Sequence, residues 1–207
     1  MEKLSIFKRV MNDELTAVED VLKRVDDNSN DYSKIIDLIV NLKGRLIFTG
    51  VGKSGHIGEK LAATFASTGT PSFFVHATES MHGDLGMITK DDLVIDISNS
   101  GETKESLAPI VPIHRIGAKI VALTGNRHST LAKKSDYLFE VHVDGEADKF
   151  NLAPTKSSTA VLVAGDSLAI TVSELKGFSE RDFGMFHPGG ALGKRLLDEG
   201  AMEGEGQ

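Results

Sequence analysis

The chain has 207 residues, 40% of them hydrophobic, enough for one sizeable core and too few for two full domains. Its formal net charge is −7, and its Lys and Arg cluster only in short groups such as Lys133-Lys134 and Lys194-Arg195, so no basic stripe exists to track a nucleic-acid backbone. With no cysteine there can be no disulfide, zinc-thiolate site or thiol nucleophile, which suits the cytoplasm.

The start Met1-Glu2-Lys3-Leu4-Ser5 lacks the basic flank and continuous apolar stretch of a secretory leader. No uninterrupted apolar run reaches the roughly eighteen residues of a membrane helix. The expectation is a soluble, unexported protein with no membrane contact. Phe7, Met11, Leu15, Val18, Leu22 and Val25 recur at spacings of three and four, which predicts a long amphipathic helix. Asn28 to Asn30 breaks it. A second helix carries Ile35, Leu38, Ile39 and Leu42 on one side, with Gly44 just beyond its end. These helices occupy residues 1–43. Their apolar stripe either packs on the domain that follows or serves as a dimerisation element.

From residue 44 to 195 short apolar runs alternate with helical stretches. Leu46 to Thr49, Ser72 to Val75, Leu93 to Ile97, Lys119 to Leu123 and Tyr137 to Val141 read as strands, each followed by Gly, Ser, Thr or Asn. This alternation predicts an α/β fold, a doubly wound sheet of five parallel strands flanked by helices, with ligands bound at the carboxyl ends of the strands. After about Asp144 come a polar loop, a long apolar helix from Ser157 to about Lys176, and a Gly-rich stretch with His187-Pro188-Gly189-Gly190. Residues 196–207 form an acidic tail, so that 1–207 is read as a single domain.

Two loops carry chemistry. Gly50-Val51-Gly52-Lys53-Ser54-Gly55 follows the first strand and opens a helix, so its amides, the helix N-terminus and the Ser54 hydroxyl can face an anion. A dinucleotide site would want an acidic residue about twenty positions on, and that region reads Phe74-Val75-His76-Ala77. A P-loop would need glycine where Ile47 stands. The third strand ends in Ser98-Asn99-Ser100-Gly101-Glu102-Thr103, a second cluster of hydroxyl and amide donors before a helix. One such cluster is commonly a helix cap. Two after neighbouring strands converge on one anion, and a phosphate without a nucleotide fits best.

This pairing resembles the SIS (sugar isomerase) domains of sugar-phosphate isomerases and sugar-phosphate-binding regulators. The stretches Gly52 to Gly58, Ala63 to His76, His82 to Met87, Ile97 to Glu102, Leu152 to Thr155 and His187 to Gly193 are similar to the arabinose 5-phosphate isomerases, covering most of residues 45 to 195. Many members of that family continue into a pair of regulatory CBS modules, which have no counterpart in this sequence. The resemblance implies isomerisation of an aldose to a ketose phosphate, most closely arabinose 5-phosphate to ribulose 5-phosphate. The phosphate loops alone also allow another pentose or hexose phosphate, or a non-catalytic regulator that binds a sugar phosphate.

Aldose–ketose isomerisation needs a base and a cation near the developing oxyanion, and neither metal nor redox cofactor. Lys53 is the natural cation. The resemblance marks Glu105 as catalytic, adds His82 and His187 as proton carriers, and places His76 and Glu146 at site positions. Gly52, Ser54, Ser98, Asn99, Ser100 and Thr103 are the expected phosphate ligands, with Gly69 and Thr70 near the sugar. His76, His82 and His187 could gather a metal adventitiously. The resemblance further implies a homotetramer, a dimer of dimers, in which His187 completes a neighbouring subunit's site.

Overall fold

The computed structural model describes residues 2–188 together with Gly193 and Arg195. Its elements are α1 (Lys3–Lys23), α2 (Ser29–Val40), β1 (Leu46–Gly50), α3 (Gly52–Ser67), β2 (Ser72–His76), α4 (Ala77–Ser80), a 3-10 turn at Asp84–Met87, β3 (Leu93–Ile97), α5 (Lys104–Leu107), α6 (Ile110–Ile116), β4 (Lys119–Thr124), α7 (Thr130–Lys134), β5 (Tyr137–Glu140), α8 (Lys156–Leu175) and α9 (Glu180–Phe186). The five predicted strands are the five observed, with ends differing by one residue. The acidic tail and the Gly189-Gly190 stretch lie outside the described residues.

All neighbouring strands are parallel, in the order β2-β1-β3-β4-β5, with Leu46 opposite both Ser72 and Leu93. Every residue of β1 and β3 is buried, because helices cover both faces of the sheet. Leu46, Phe48, Ile95 and Leu123 point to one side, packing with Ile35, Leu61, Phe65 and Val172 of α2, α3 and α8. Ile47, Val94 and Ile120 point to the other, against Ile110 and Ile113 of α6 and Leu131 of α7. At the sheet's amino-terminal end, Arg45 is paired at 2.9 Å with the buried Asp92. Burial pushes the Asp92 carboxyl up, but bonds from Arg45 and Thr89 outweigh this and hold it below the usual carboxylate range.

From β1 the chain steps out one way to β2 and the other way to β3, β4 and β5. The carboxyl ends of β1 and β3 therefore flank the crevice where connections diverge, the position that binds ligands in open α/β sheets.

The stripe of α1 does not pack inward: α1 buries Ala17 and Val21, whereas Phe7, Met11, Leu15 and Leu22 are exposed, Leu22 by 69%. The small Ala17 lets α1 approach α8 closely on that side, and Thr159 of α8 bonds Glu14 there. Helix α8 is also long and apolar enough by length and composition to cross a membrane, although Asp166 interrupts its apolar run. Here it packs against α1, α2 and α3. At the crossing with α3, a Cβ on Gly165 would lie 2.5 Å from both methyls of Leu61.

Candidate active site

The crevice between β1 and β3 opens into a cleft of about 450 Å³, in the size range of small-molecule sites. Its first wall is the loop entering α3. Gly52 takes φ +57°, a left-handed conformation that turns the chain directly from strand into helix. Lys53 then stands in the first turn of α3, exposed and with no ion pair among the described residues. A cation opposes the dipole at a helix N-terminus, so this placement costs stability unless an anion arrives between them. Ser54 lines the same wall.

The second wall is the loop leaving β3. Gly101 sits at φ +66°, and a Cβ there would lie 2.2 Å from Ser129 Oγ, so the loop lies tightly on the start of α7. Gly101 N–H donates to Ser98 Oγ at 3.2 Å, and the Ser98 and Thr103 hydroxyls are 3.2 Å apart. The loop is pinned from outside: Thr124 Oγ1 and Gly125 N–H donate to the Asn99 carbonyl, and Thr130 N–H donates to Glu102 Oε1 at 2.8 Å. That bond from the Thr130 amide holds the Glu102 carboxyl below its usual range. Ser98, Asn99, Ser100 and Thr103 all line the cleft.

Of the third wall only Glu146 and the stretch from Leu152 were expected, both by resemblance. Val143, Gly145, Asn151, Leu152, Ser157 and Ser158 close the cleft on the α8 side, with Glu146 among them. The Glu146 carboxylate accepts from Thr155 N–H at 2.8 Å, Thr155 Oγ1 at 3.2 Å and Ser157 N–H at 3.2 Å, and from the Ser157 hydroxyl. It thus caps the N-terminus of α8 while facing the cleft. Asn151, at φ +56°, accepts from Glu146 N–H through its side chain. A signal was available in the sequence: Thr155-Lys156-Ser157-Ser158-Thr159 is a third hydroxyl-rich run opening a helix.

The other expected residues fall in two different places. His76 ends β2, His82 follows α4, and Glu105 is exposed on α5, which packs against α4; none of the three lines the cleft. Gly69 and Thr70 precede β2 and lie at the amino-terminal end of the sheet, opposite the cleft. There Thr70 Oγ1 accepts from Lys176 Nζ at 2.9 Å, and burial holds the Lys176 amine below its usual range. His187 is in the same region. A Cβ on Gly69 would lie 2.4 Å from the Phe178 ring, which stacks on Phe186, and His187 stacks on Phe183 at 4.0 Å. The 20-residue α8, roughly 30 Å long, separates this corner from the cleft. Within one chain the three histidines do not meet, and no group of three metal-ligating side chains occurs among the described residues.

An open parallel sheet with two donor loops, a helix N-terminus and an unpaired lysine at its switch point defines a domain built to hold a small phosphorylated ligand. The chain belongs to the SIS domain family, whose profile matches residues 38–171. It is 50% identical over 190 residues to arabinose 5-phosphate isomerase KdsD of Pseudomonas aeruginosa, covering 92% of this chain and 57% of that protein. It is 47% identical over 190 residues to arabinose 5-phosphate isomerase KpsF of Escherichia coli, covering 92% and 58%. The chain therefore spans a little over half the length of these curated relatives. Among solved structures, the E. coli CFT073 protein c3406, in complex with arabinose 5-phosphate, superposes with a TM-score of 0.86 at 49% identity, covering 91% of this chain and all of that one.

Proposed function

We propose that the protein is an aldose–ketose isomerase that interconverts arabinose 5-phosphate and ribulose 5-phosphate in the cytoplasm. The observation that carries this reading is the convergence of Lys53, Ser54, Ser98, Asn99, Ser100 and Thr103 on one cleft at the switch point. The names of the half-identical relatives supply the sugar. The hydroxyls and the α3 amides hold the phosphate, and Lys53 stabilises the oxyanion that develops as a proton leaves the carbon beside the carbonyl. Glu105, outside the cleft wall but two residues beyond the cleft-lining Thr103, reaches in from the rim to take that proton and return it to the neighbouring carbon, with His82 and His187 carrying protons to the sugar oxygens. The electron pair stays within the substrate, so no redox partner is required.

In this reading the working unit is a homotetramer whose sites are shared. The distance between one chain's cleft and its own Gly69, Thr70 and His187 supports a site completed by a neighbour, and the exposed stripe of α1 offers an apolar surface for assembly. A panel of pentose and hexose phosphates tests the activity, with turnover of arabinose 5-phosphate expected without added metal or nucleotide. Binding without turnover of any sugar phosphate would refute it. Lys53→Ala and His187→Ala proteins should each be nearly inactive, and their reassociated mixture should regain activity. Verified mixing without recovery would return His187 to its own chain or remove it from catalysis.

A further inference from the structure

Two aspartates are buried among the described residues, and they differ in their surroundings. Asp92 is paired with Arg45. Asp96, in the middle of the sheet on β3 and 1% exposed, has no cation and no hydrogen-bond partner for either carboxyl oxygen. Thr49 on β1 and Ala122 on β4 are its cross-strand neighbours, and Ser106 of α5, fully buried, is the polar group that acts on it. Thr49 Oγ1 and Ser106 Oγ are themselves unpartnered. Four buried oxygens, on β1, β3 and α5, thus have no hydrogen-bond partner among the described residues. Burial pushes the Asp96 carboxyl well above the usual carboxylate range.

The location connects this patch to the chemistry. Asp96 lies two residues before Ser98, at the base of the phosphate loop. Helix α5 is a single turn, Lys104–Leu107, tied on one side to that loop by the Thr103 and Ser98 hydroxyls, packed against β1, and with Ser106 buried. Glu105 lies between Thr103 and Ser106. We infer that Asp96 is a positioning residue for the isomerisation: its buried carboxyl, set with the buried Ser106 hydroxyl under α5, fixes the turn that carries Glu105. This rests on the reading of Glu105 as the base.

The test uses Asp96→Leu, which fills the space without a polar group, Asp96→Asn, which keeps the shape and a donor, and Ser106→Ala. A displaced base impairs the chemical step more than phosphate binding, so Asp96→Leu and Ser106→Ala should lower kcat at least about tenfold with KM within about threefold. Asp96→Asn should restore kcat to within about threefold of wild type. A folded Leu variant with wild-type kcat, or an Asn variant as impaired as the Leu variant, overturns the inference; if Asp96→Leu does not fold, Ser106→Ala decides alone. A second readout is the Glu105 side-chain carboxyl carbon-13 resonance, assigned by its loss in Glu105→Gln. It should move in Asp96→Leu and not in Asp96→Asn. Should the wild type turn over no sugar phosphate, the isomerase reading falls, while a resonance unmoved in Asp96→Leu would sink the positioning role separately.

Discussion

Glu146 and Glu105 are both expected to matter for turnover, but the structure gives them different second duties. The Glu146 carboxylate takes four donors from Thr155 and Ser157, two of them the amides of the N-cap residue and of the second residue of α8. Glu105 is exposed and bonds nothing among the described residues. In Glu146→Ala the cap is lost at about 0.5 to 2 kcal/mol, and the favourable charge at the helix N-terminus at about 0.3 to 1 kcal/mol. Because Glu146 is only half-buried, water re-solvates part of what it leaves, so a total near 2 kcal/mol is expected. For a chain of this size that corresponds to a fall of about 4 to 8 °C in Tm. Glu105→Gln should leave Tm within about 1 °C while lowering kcat by about two to four orders of magnitude. Circular-dichroism melts beside a coupled kinetic assay would separate the two. Equal Tm values for Glu146→Ala and wild type would show that the capping bonds carry no stability, and the account of the third wall would fail.

Asp96 also sets a pH dependence of stability. The unfolded chain releases this proton in the ordinary carboxylate range and the folded chain keeps it, so stability is lost as pH rises from that range through the raised folded-state pKa, by up to about 1.4 kcal/mol per unit. Asp96→Asn should remove that contribution, and a gap between the two proteins' urea midpoints that does not widen with pH would contradict it. Gly165→Ala should destabilise by about 1 to 3 kcal/mol through collision with Leu61, partly offset by roughly 1 kcal/mol of helix propensity. A more stable variant would mean that α3 and α8 can separate freely. Ser100→Ala with Thr103→Ala should weaken sugar-phosphate binding by about 1.5 to 3 kcal/mol per lost bond, measured by calorimetry, and unchanged affinity would move the phosphate elsewhere.

The strands were legible because a parallel sheet buries both faces, and runs such as Leu46-Ile47-Phe48 and Leu93-Val94-Ile95 record that directly. The two donor loops were legible because each joins a strand end to a helix start. Of the third wall, Glu146 was expected by resemblance but its bonds were not, since it meets Thr155 and Ser157 only after nine to eleven residues fold back. Gly69 and Thr70 read as sugar neighbours by resemblance, yet residues that precede a parallel strand stand at the end away from its crevice, so a single chain cannot bring them there. Asp96 was passed over inside an apolar run, where its burial is a property of the sheet rather than of the residue. The stripe of α1 has the predicted period, and its direction was left open because periodicity identifies a face and not what covers it.

Helix α1 reaches the cleft wall as well as α8. Arg9 Nη1 donates to the Ala147 carbonyl at 3.1 Å, one residue beyond Glu146, and Glu14 is bonded by Thr159 one turn into α8. Those two attachments give the seating of α1 and the geometry of the wall a common free energy, and such coupling is reciprocal. A partner that binds the outer side of α1 better when the helix is seated would tighten the wall behind Glu146. By the same amount, a ligand that orders the wall slows the opening of a helix far from the phosphate loops, and amide exchange along α1 becomes a remote gauge of occupancy in the cleft.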